Sequence, residues 1–284
     1  MNNRSTPMWI PVLACGFVGA LLWLERKRPL RDPREPTPNR VGRNIAIGMV
    51  TAATVVALER PVVSAVARSV NRRGWGLVPR LPIPEWGKTA LMVLLMDYTL
   101  YWWHVLLHRV PVLWRCHAVH HADLDLDTST ALRFHVTEFI ASIPWRAAQV
   151  AVLGVSPRAL SLWAKLTSAE VLFHHSNLRL PLTIERWLCR VIVTPRVHGI
   201  HHSVVDEQRN SNFSSGLALW DCLHGTTQRD VPQASITIGL PGYRDRKQVT
   251  FARMMAFPFV TEEATDRGCE EGPTTIGESK RRLQ

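Results

Sequence analysis

The chain reads as an all-α integral membrane protein with a histidine-rich metal site lying at the membrane. Three observations predict this. Ten of the twelve histidines fall into four tight groups: His104-x-x-x-His108, His117-x-x-His120-His121, His174-His175 and His198-x-x-His201-His202. Imidazole is the commonest protein metal ligand, and such clustering at helical spacings points to metal. Long apolar runs lie directly beside these groups. The hydrophobic fraction is 46% while mean hydropathy is −0.02, too polar for a chain made only of spans but suited to one that is half membrane and half polar cap.

The elements follow in order. Crossing ~30 Å of hydrocarbon takes about 20 helical residues. Residues 10–24 form the first apolar run, slightly short but extended by the flanking Trp9. Only Arg4 precedes it, whereas Arg26, Lys27, Arg28, Arg31, Arg34, Arg40 and Arg43 follow it. The positive-inside rule therefore puts the N-terminus outside and the following loop in the cytosol. The basic stretch and the lack of a small-residue cleavage site argue against a cleavable signal. A second run covers residues 45–58 and continues over 62–70, with Pro61 expected to kink it. The third covers 89–107 and the fourth 139–153. Gly154-Val155-Ser156-Pro157 reads as a turn, with Ser156 as N-cap and Pro157 at the first helical position of a return helix over 158–173. Counting crossings places His104, His108, His135, His174 and His175 all on the cytosolic side. Glu138, Arg146, Gln149, Lys165 and Glu170 make the last two segments polar for lipid, so they are expected to cross only in part. From about residue 261 the composition is that of a disordered tail. The expected organisation is an N-terminal membrane and basic-loop region (1–88), a catalytic region (89–245) and a C-terminal segment (246–284).

Charge and cysteine usage exclude other classes. The net charge of +11 and pI near 10.2 suit nucleic acid or an anionic membrane face. No helix-turn-helix, finger or RNA-binding signature occurs, so no nucleic-acid partner is expected. Cys15, Cys116, Cys189, Cys222 and Cys269 form no C-x-x-C pair, which excludes a zinc ribbon or iron–sulfur cluster and predicts reduced thiols.

Helix geometry organises the histidines. Residues four apart share a face, so His104 and His108 point the same way; Pro111 then ends that helix and opens the next. His117 and His121 share a face there, while His120 and His121 diverge by about 100°. Such a triad can serve two neighbouring metals. Thr194-Pro195 reads as an N-cap and first-turn proline that place His198, His201 and His202 on the opening turns of a last helix. His175 is the better ligand of its pair, since His174 can cap its helix or bond backbone. His135 reads as a ligand or as a donor to one. His224 is isolated. About nine imidazoles exceed the ligand count of one ion and imply two. Iron, zinc, copper and nickel all suit imidazole; no H-E-x-x-H occurs, and iron is preferred.

Over Asp97 to Thr226 the chain resembles the integral-membrane fatty acid hydroxylase and sterol desaturase superfamily. The stretches that carry the resemblance are DYTLYWWHVLLH, LWRCHAVHHADLDLDTSTALRFHVTE, FHHSNLRLP, TPRVHGIHHS and WDCLHGT. It implies a helical membrane domain of about four transmembrane helices with a cytosolic helical cap holding a histidine-rich di-metal site, two iron ions as cofactors (with zinc possible in a purified form), O2 as co-substrate, and hydroxylation or desaturation at a C–H bond of a fatty acyl, sterol or related lipid. The ligands it implies are His104, His108, His117, His120, His121, His175, His198, His201 and His202, with His135 matching a further family histidine. Asn177, Trp220 and Asp221 match supporting positions. Val105, Val136 and His224 stand where members often carry arginine, proline and phenylalanine; none of these removes a ligand. Asp123, Asp125, Asp127, Glu138, Glu170 and Asp221 are candidates to hold ligand tautomers, each also readable as a solvated or capping group. Asp97, two helical turns before His104, is the strongest such candidate, and is equally readable as bonded to a neighbouring helix. No Rossmann, haem-protein or ferredoxin motif occurs, so a separate electron donor is expected: a reductase, ferredoxin or small haem protein. The basic residues 26–43 could dock an acidic donor or anchor to headgroups. Two rivals are a zinc-dependent membrane hydrolase and a metal transporter or sensor; ligands beyond the span ends argue against transport.

Overall fold

Helix α1 (Trp9–Lys27), 19 residues long, leads into the basic loop, and a computed structural model describes the chain as helices joined by turns and loops. The structure describes residues 9–260, and the expected tail lies outside them. After α1 come α2 (Thr37–Thr54), α3 (Arg60–Arg73), α4 (Glu85–Arg109), α5 (Pro111–His121), α6 (Val136–Leu153) and α7 (Pro157–His175). The short helices α8 (Leu182–Leu188), α9 (Pro195–His201), α10 (Asp206–Arg209), α11 (Leu219–His224) and α12 (Phe251–Ala256) complete the chain. Among the described residues no strand forms; three isolated bridges, such as Pro29 with Leu178, are the only sheet-like contacts.

Two helical stretches among the described residues are long and apolar enough to cross a membrane, Thr37–Arg80 and Glu85–Arg109. The first contains Pro61, and there the expected kink takes a particular form. A π turn over Val55–Glu59 joins α2 to α3. Proline has no N–H to donate and its ring crowds the carbonyl four residues back, so the widened turn absorbs the defect without ending the helix. Pro111 acts differently. Val110 is extended (φ −98°, ψ 114°), so α4 stops and α5 restarts at an angle with Pro111 in its first turn. The Ser156 hydroxyl caps α7 by accepting from the Ala159 N–H, as its sequence position suggests.

The apolar core lies between α3, α4, α6 and α7, where Val63, Ala67, Met96, Val150 and Ala159 pack together. A polar core lies behind the first histidine triad. Arg40 on α2 donates to Asp123 at 2.8 Å and also bonds Asp127. Asn44 donates to Asp123 at 2.8 Å, and Arg133 donates to the Val119 carbonyl at 2.8 Å and to Asn44 at 3.0 Å. Burial alone would raise the Asp123 carboxyl, but Arg40, Arg133 and Arg43 outweigh it and hold Asp123 below its ordinary range. Burial also pulls the Arg133 guanidinium down to about 10. The network satisfies its own charges and thereby fixes the chain that leaves α5.

The far end of the helices meets at two glycines. Gly154, after α6, has φ +75°, and a Cβ there would stand 2.4 Å from the Trp75 carbonyl oxygen and 2.6 Å from Pro79. Gly76 has φ +102°, and its Cβ would stand 2.2 Å from the Gly154 Cα. Backbone sits against backbone here, so neither neighbour yields easily. Gly154→Ala should therefore lower stability by about 2 kcal/mol or more, read as a lowered midpoint of thermal unfolding in detergent.

Candidate metal centre

Four helices bring nine imidazoles to one place. α4 supplies His104 and His108 from its last turns, α5 supplies His117, His120 and His121, α7 ends on His175, and α9 with its cap supplies His198, His201 and His202. The nine divide into two groups, His104, His108, His117, His121 and His201, and His120, His175, His198 and His202; within each, the ring nitrogens that could bind an ion lie within 4.8 Å of one another. Helical geometry explains the division. The four-apart pairs His104/His108, His117/His121 and His198/His202 each stay together, because four residues nearly complete a turn. His120 and His201, three from the start of their triads, swing to the other group. Each triad thus serves both groups. All nine rings are buried except His108, which is half-buried.

Hydrogen bonds fix which nitrogen carries the proton on four of these rings. His104 Nδ1 lies 2.7 Å from the Phe213 carbonyl, His201 Nδ1 2.7 Å from the Ser211 carbonyl, and His175 Nδ1 2.7 Å from the Val171 carbonyl. His117 Nδ1 lies 3.0 Å from Glu138 Oε2. All four partners only accept, so each Nδ1 is the donor and each Nε2 presents a lone pair. Yet His104 Nε2 lies 3.0 Å from His201 Nε2 and 3.2 Å from His117 Nε2. Lone pairs that face one another at this range repel unless a cation joins them. In the second group His175 Nε2 lies 2.9 Å from His120 Nε2 and 3.0 Å from His198 Nε2, and His202 Nε2 lies 3.1 Å from His198 Nε2. Both nitrogens of His121 and Nε2 of His108 are buried without a partner. Nitrogens bound about 2.1 Å from one ion sit roughly 3.0–3.4 Å apart, so this spacing and the orphaned donors fit a pair of metal ions.

Metal ligation needs neutral imidazole, and the site enforces it. Burial, followed by repulsion from neighbouring rings, pushes His120, His121, His198, His201 and His202 well below the ordinary histidine range. Burial takes His175 to about 3 despite its bond to Val171.

The remaining candidates sort by what they touch. His135 belongs to neither group. It takes the N-cap position of α6, where its Nδ1 meets the Thr137 hydroxyl at 2.6 Å and its Nε2 the Met255 carbonyl at 3.3 Å. The structure thus places this expected tenth ligand at a helix cap, outside both groups. His174 bonds the Ser215 backbone and its ring lies 4.1 Å from that of His198. Of the acidic candidates, Glu138 alone reaches an imidazole of the two groups by hydrogen bond among the described residues. Asp123 and Asp127 hold Arg40, and Asp125 accepts the Arg34 and Glu35 N–H groups. Asp221 accepts from the Phe213 and Ser214 N–H groups at 2.7 and 3.0 Å, so it holds the strand of backbone whose carbonyl bonds His104. Asp97 accepts from Trp220 Nε1 at 2.7 Å and from the Leu217 N–H at 3.1 Å; it is bonded to a neighbouring element rather than to a ligand. Glu170 and Asp97 flank Gly216 closely enough that a Cβ there would meet both carboxylates at 2.5 Å. Asn177 bonds the Arg31 N–H and carbonyl, and His224 meets the Tyr98 hydroxyl at 3.2 Å.

A cavity of ≈ 430 Å³ opens against the rings. His104, His117, His120, His175 and His198 form one wall; Leu100, Trp103, Phe139, Trp163 and Val171 line much of the rest. Sequence reasoning missed two features of this site. The acceptors Val171, Ser211 and Phe213 act through main-chain carbonyls, which no side-chain pattern reports. Arg146 and Glu59, 3.6 Å apart, also line the cavity, and only their rarity in apolar segments flags them.

Two outcomes follow. Glu138→Gln keeps the shape but weakens the hold on the His117 tautomer, so metal affinity should fall about 10–100-fold in a chelator competition. His175, depressed to about 3, binds fewer protons folded than unfolded between that value and its ordinary 6.5, and His120, His121, His198, His201 and His202 act in the same direction, so the metal-free chain should be most stable above 6.5 and lose stability as pH falls through that window, measured by thermal unfolding.

Comparison with known proteins agrees with this centre. The chain is similar to an ornithine lipid hydroxylase of Rhizobium tropici, 30% identical over 269 residues that cover 89% of this chain and 76% of that protein. It is similar to an alkylglycerol monooxygenase of Danio rerio, 26% identical over 227 residues, 79% of this chain and 47% of that protein. It is also similar to a very-long-chain aldehyde decarbonylase of Oryza sativa subsp. indica, 28% identical over 155 residues, 53% of this chain and 57% of that protein. The chain therefore spans three quarters of the first relative but less than two thirds of the other two. No solved structure matches it. The fatty acid hydroxylase family model matches residues 89–226, which hold all nine clustered histidines, and the chain belongs to the fatty acid hydroxylase superfamily.

Proposed function

We propose that the chain is an oxygen-dependent di-iron enzyme that hydroxylates a C–H bond of a membrane lipid. The observation that carries this reading is the pair of interleaved histidine groups opening onto an apolar cavity. The names of two relatives, a lipid hydroxylase and a monooxygenase, favour hydroxylation over desaturation.

His104, His108, His117, His121 and His201 would hold one ion, and His120, His175, His198 and His202 the other. Iron at this pair would supply reduction of O2 to an oxidant able to take hydrogen from an unactivated carbon. The chain's own residues set the conditions for it. Glu138 and the Val171, Ser211 and Phe213 carbonyls keep the Nδ1 protons in place, so that the Nε2 atoms of their rings stay free to ligate. Trp103, Phe139 and Trp163 exclude water and hold an alkyl chain beside the rings. The two electrons per turnover would come from a separate donor. The chain would lie in the membrane as a multi-pass protein with the centre on the cytosolic side; the two apolar helices and the basic residues between α1 and α2 support this.

The test is metal analysis and oxygen uptake on protein purified without added metal. About two irons per chain, with lipid-dependent oxygen uptake, is the expected result. Zinc alone, with no oxygen uptake on any lipid, would favour a hydrolase and overturn the proposal. His201→Ala and His120→Ala each remove a ring from a different group, and each should abolish turnover and lower bound iron; normal turnover in either would rule out the ligand assignment.

A further inference from the structure

A second cavity, of ≈ 1490 Å³, lies on the other side of the partition formed by Leu132 and Leu172, which line both cavities. Its two ends differ in chemistry. Val18 and Leu22 of α1 and Val41 and Ile45 of α2 line an apolar end. Arg26, Arg28, Arg31, Arg179 and Arg196 line the other. Val18 and Arg26 are eight residues apart on α1, about 12 Å along the helix. The groove is therefore amphiphilic over the length of a lipid's upper half.

The basic end is only partly neutralised from within: Arg196 Nε lies 3.8 Å from Glu185 Oε2, and Asp32 also lines the groove. Arg26, Arg28 and Arg179 are exposed and make no side-chain ion pair among the described residues. Arg31 donates through Nη2 to the Pro195 carbonyl at 3.2 Å and to Gln233, but its Nε and Nη1 are buried without a partner. The nearby acids are largely engaged elsewhere: Glu25 accepts from Thr128 and Asn177, Asp125 from the Arg34 and Glu35 N–H groups, and Asp127 is bonded to Arg40. Guanidinium groups match phosphate and carboxylate with paired hydrogen bonds. At the partition, Gly48 on α2 makes room: a Cβ there would stand 2.9 Å from that of Leu132.

We propose that this groove receives the anionic head group of a lipid, whose chain passes between Leu132 and Leu172 into the histidine cavity. The apolar end lined by α1 and α2 favours a lipid over an acidic protein surface, which would have no use for it. The inference deepens the hydroxylase reading by naming its substrate class, but binding here does not require the metal centre.

The experiment uses the full chain in detergent, with native mass spectrometry counting retained lipid. The probes are phosphatidylglycerol and diacylglycerol of the same acyl chains. Phosphatidylglycerol should be retained at least about tenfold more than diacylglycerol by the wild type and equally by His201→Ala, whatever that variant does to turnover. Arg28→Glu/Arg179→Glu should lose that preference, and Leu172→Trp, which plugs the partition, should lose the bound lipid while keeping the arginines. Should Leu172→Trp unfold, Leu132→Trp serves, since Leu132 is 41% exposed. Equal retention of both lipids, an unchanged charge-reversal variant, or full retention by a folded plugged variant (head groups merely adhering to the surface) would each overturn the proposal. So would inorganic phosphate occupying the groove as tightly as the lipid, since the ligand would then be a soluble anion.

Discussion

Four imidazoles with their Nδ1 hydrogens committed elsewhere must turn their lone pairs toward one another in a space that excludes water, and the surrounding structure is organised to hold them there. His104, His117 and His201 converge through Nε2 at 3.0–3.2 Å, an arrangement neutral rings do not adopt alone. The restraints come from behind. Asp221 fixes the backbone that accepts from His104, and Asp97 fixes Trp220 beside it. On the opposite side, Arg40, Asn44 and Arg133 lock the exit of α5 against α2. Buried ion pairs of this kind add little net stability, but they specify one arrangement where an apolar contact would allow several.

Much of this was readable in the residues. The turn prolines marked where helices begin, at Pro111, Pro157 and Pro195, because proline suits the first turn and not the interior. The apolar runs and helical spacing pointed to helices, while the count of crossings and the family resemblance implied that the pair and the two triads meet at one centre. What spacing could not supply was environment. His135, outside the four tight groups, read as a ligand or as a donor to one, and spacing did not show that it takes the N-cap position of α6. The acidic residues were equally ambiguous: Glu138 reaches a ring because α6 packs against α5, whereas Asp123, two residues past the triad, faces the arginines of α2. The π turn at Val55–Glu59 was also hidden, since a proline in a helical run signals a defect without saying how the chain absorbs it.

The polar groups of the apolar helices also divide by role. Asp97 and Gln149 bond neighbouring elements and help set helix positions. Arg146 lies over the Trp163 ring at 4.4 Å and borders the cavity, so its charge is stabilised by an aromatic face as well as by Glu59. The cavity is thus largely apolar, with Glu59, Glu138 and Arg146 as its ionisable residues beyond the rings.

The splitting of each H-x-x-H-H motif has a consequence for how such a centre can arise and fail. Neither histidine group exists as a contiguous stretch of chain: α5 and α9 each contribute to both, so two ions held there would share the same pair of helical scaffolds. A half-centre cannot be inherited, grafted or lost as a module. A shift of either helix by one residue would scramble both groups together, which ties the spacing of the motif to the survival of the whole assembly.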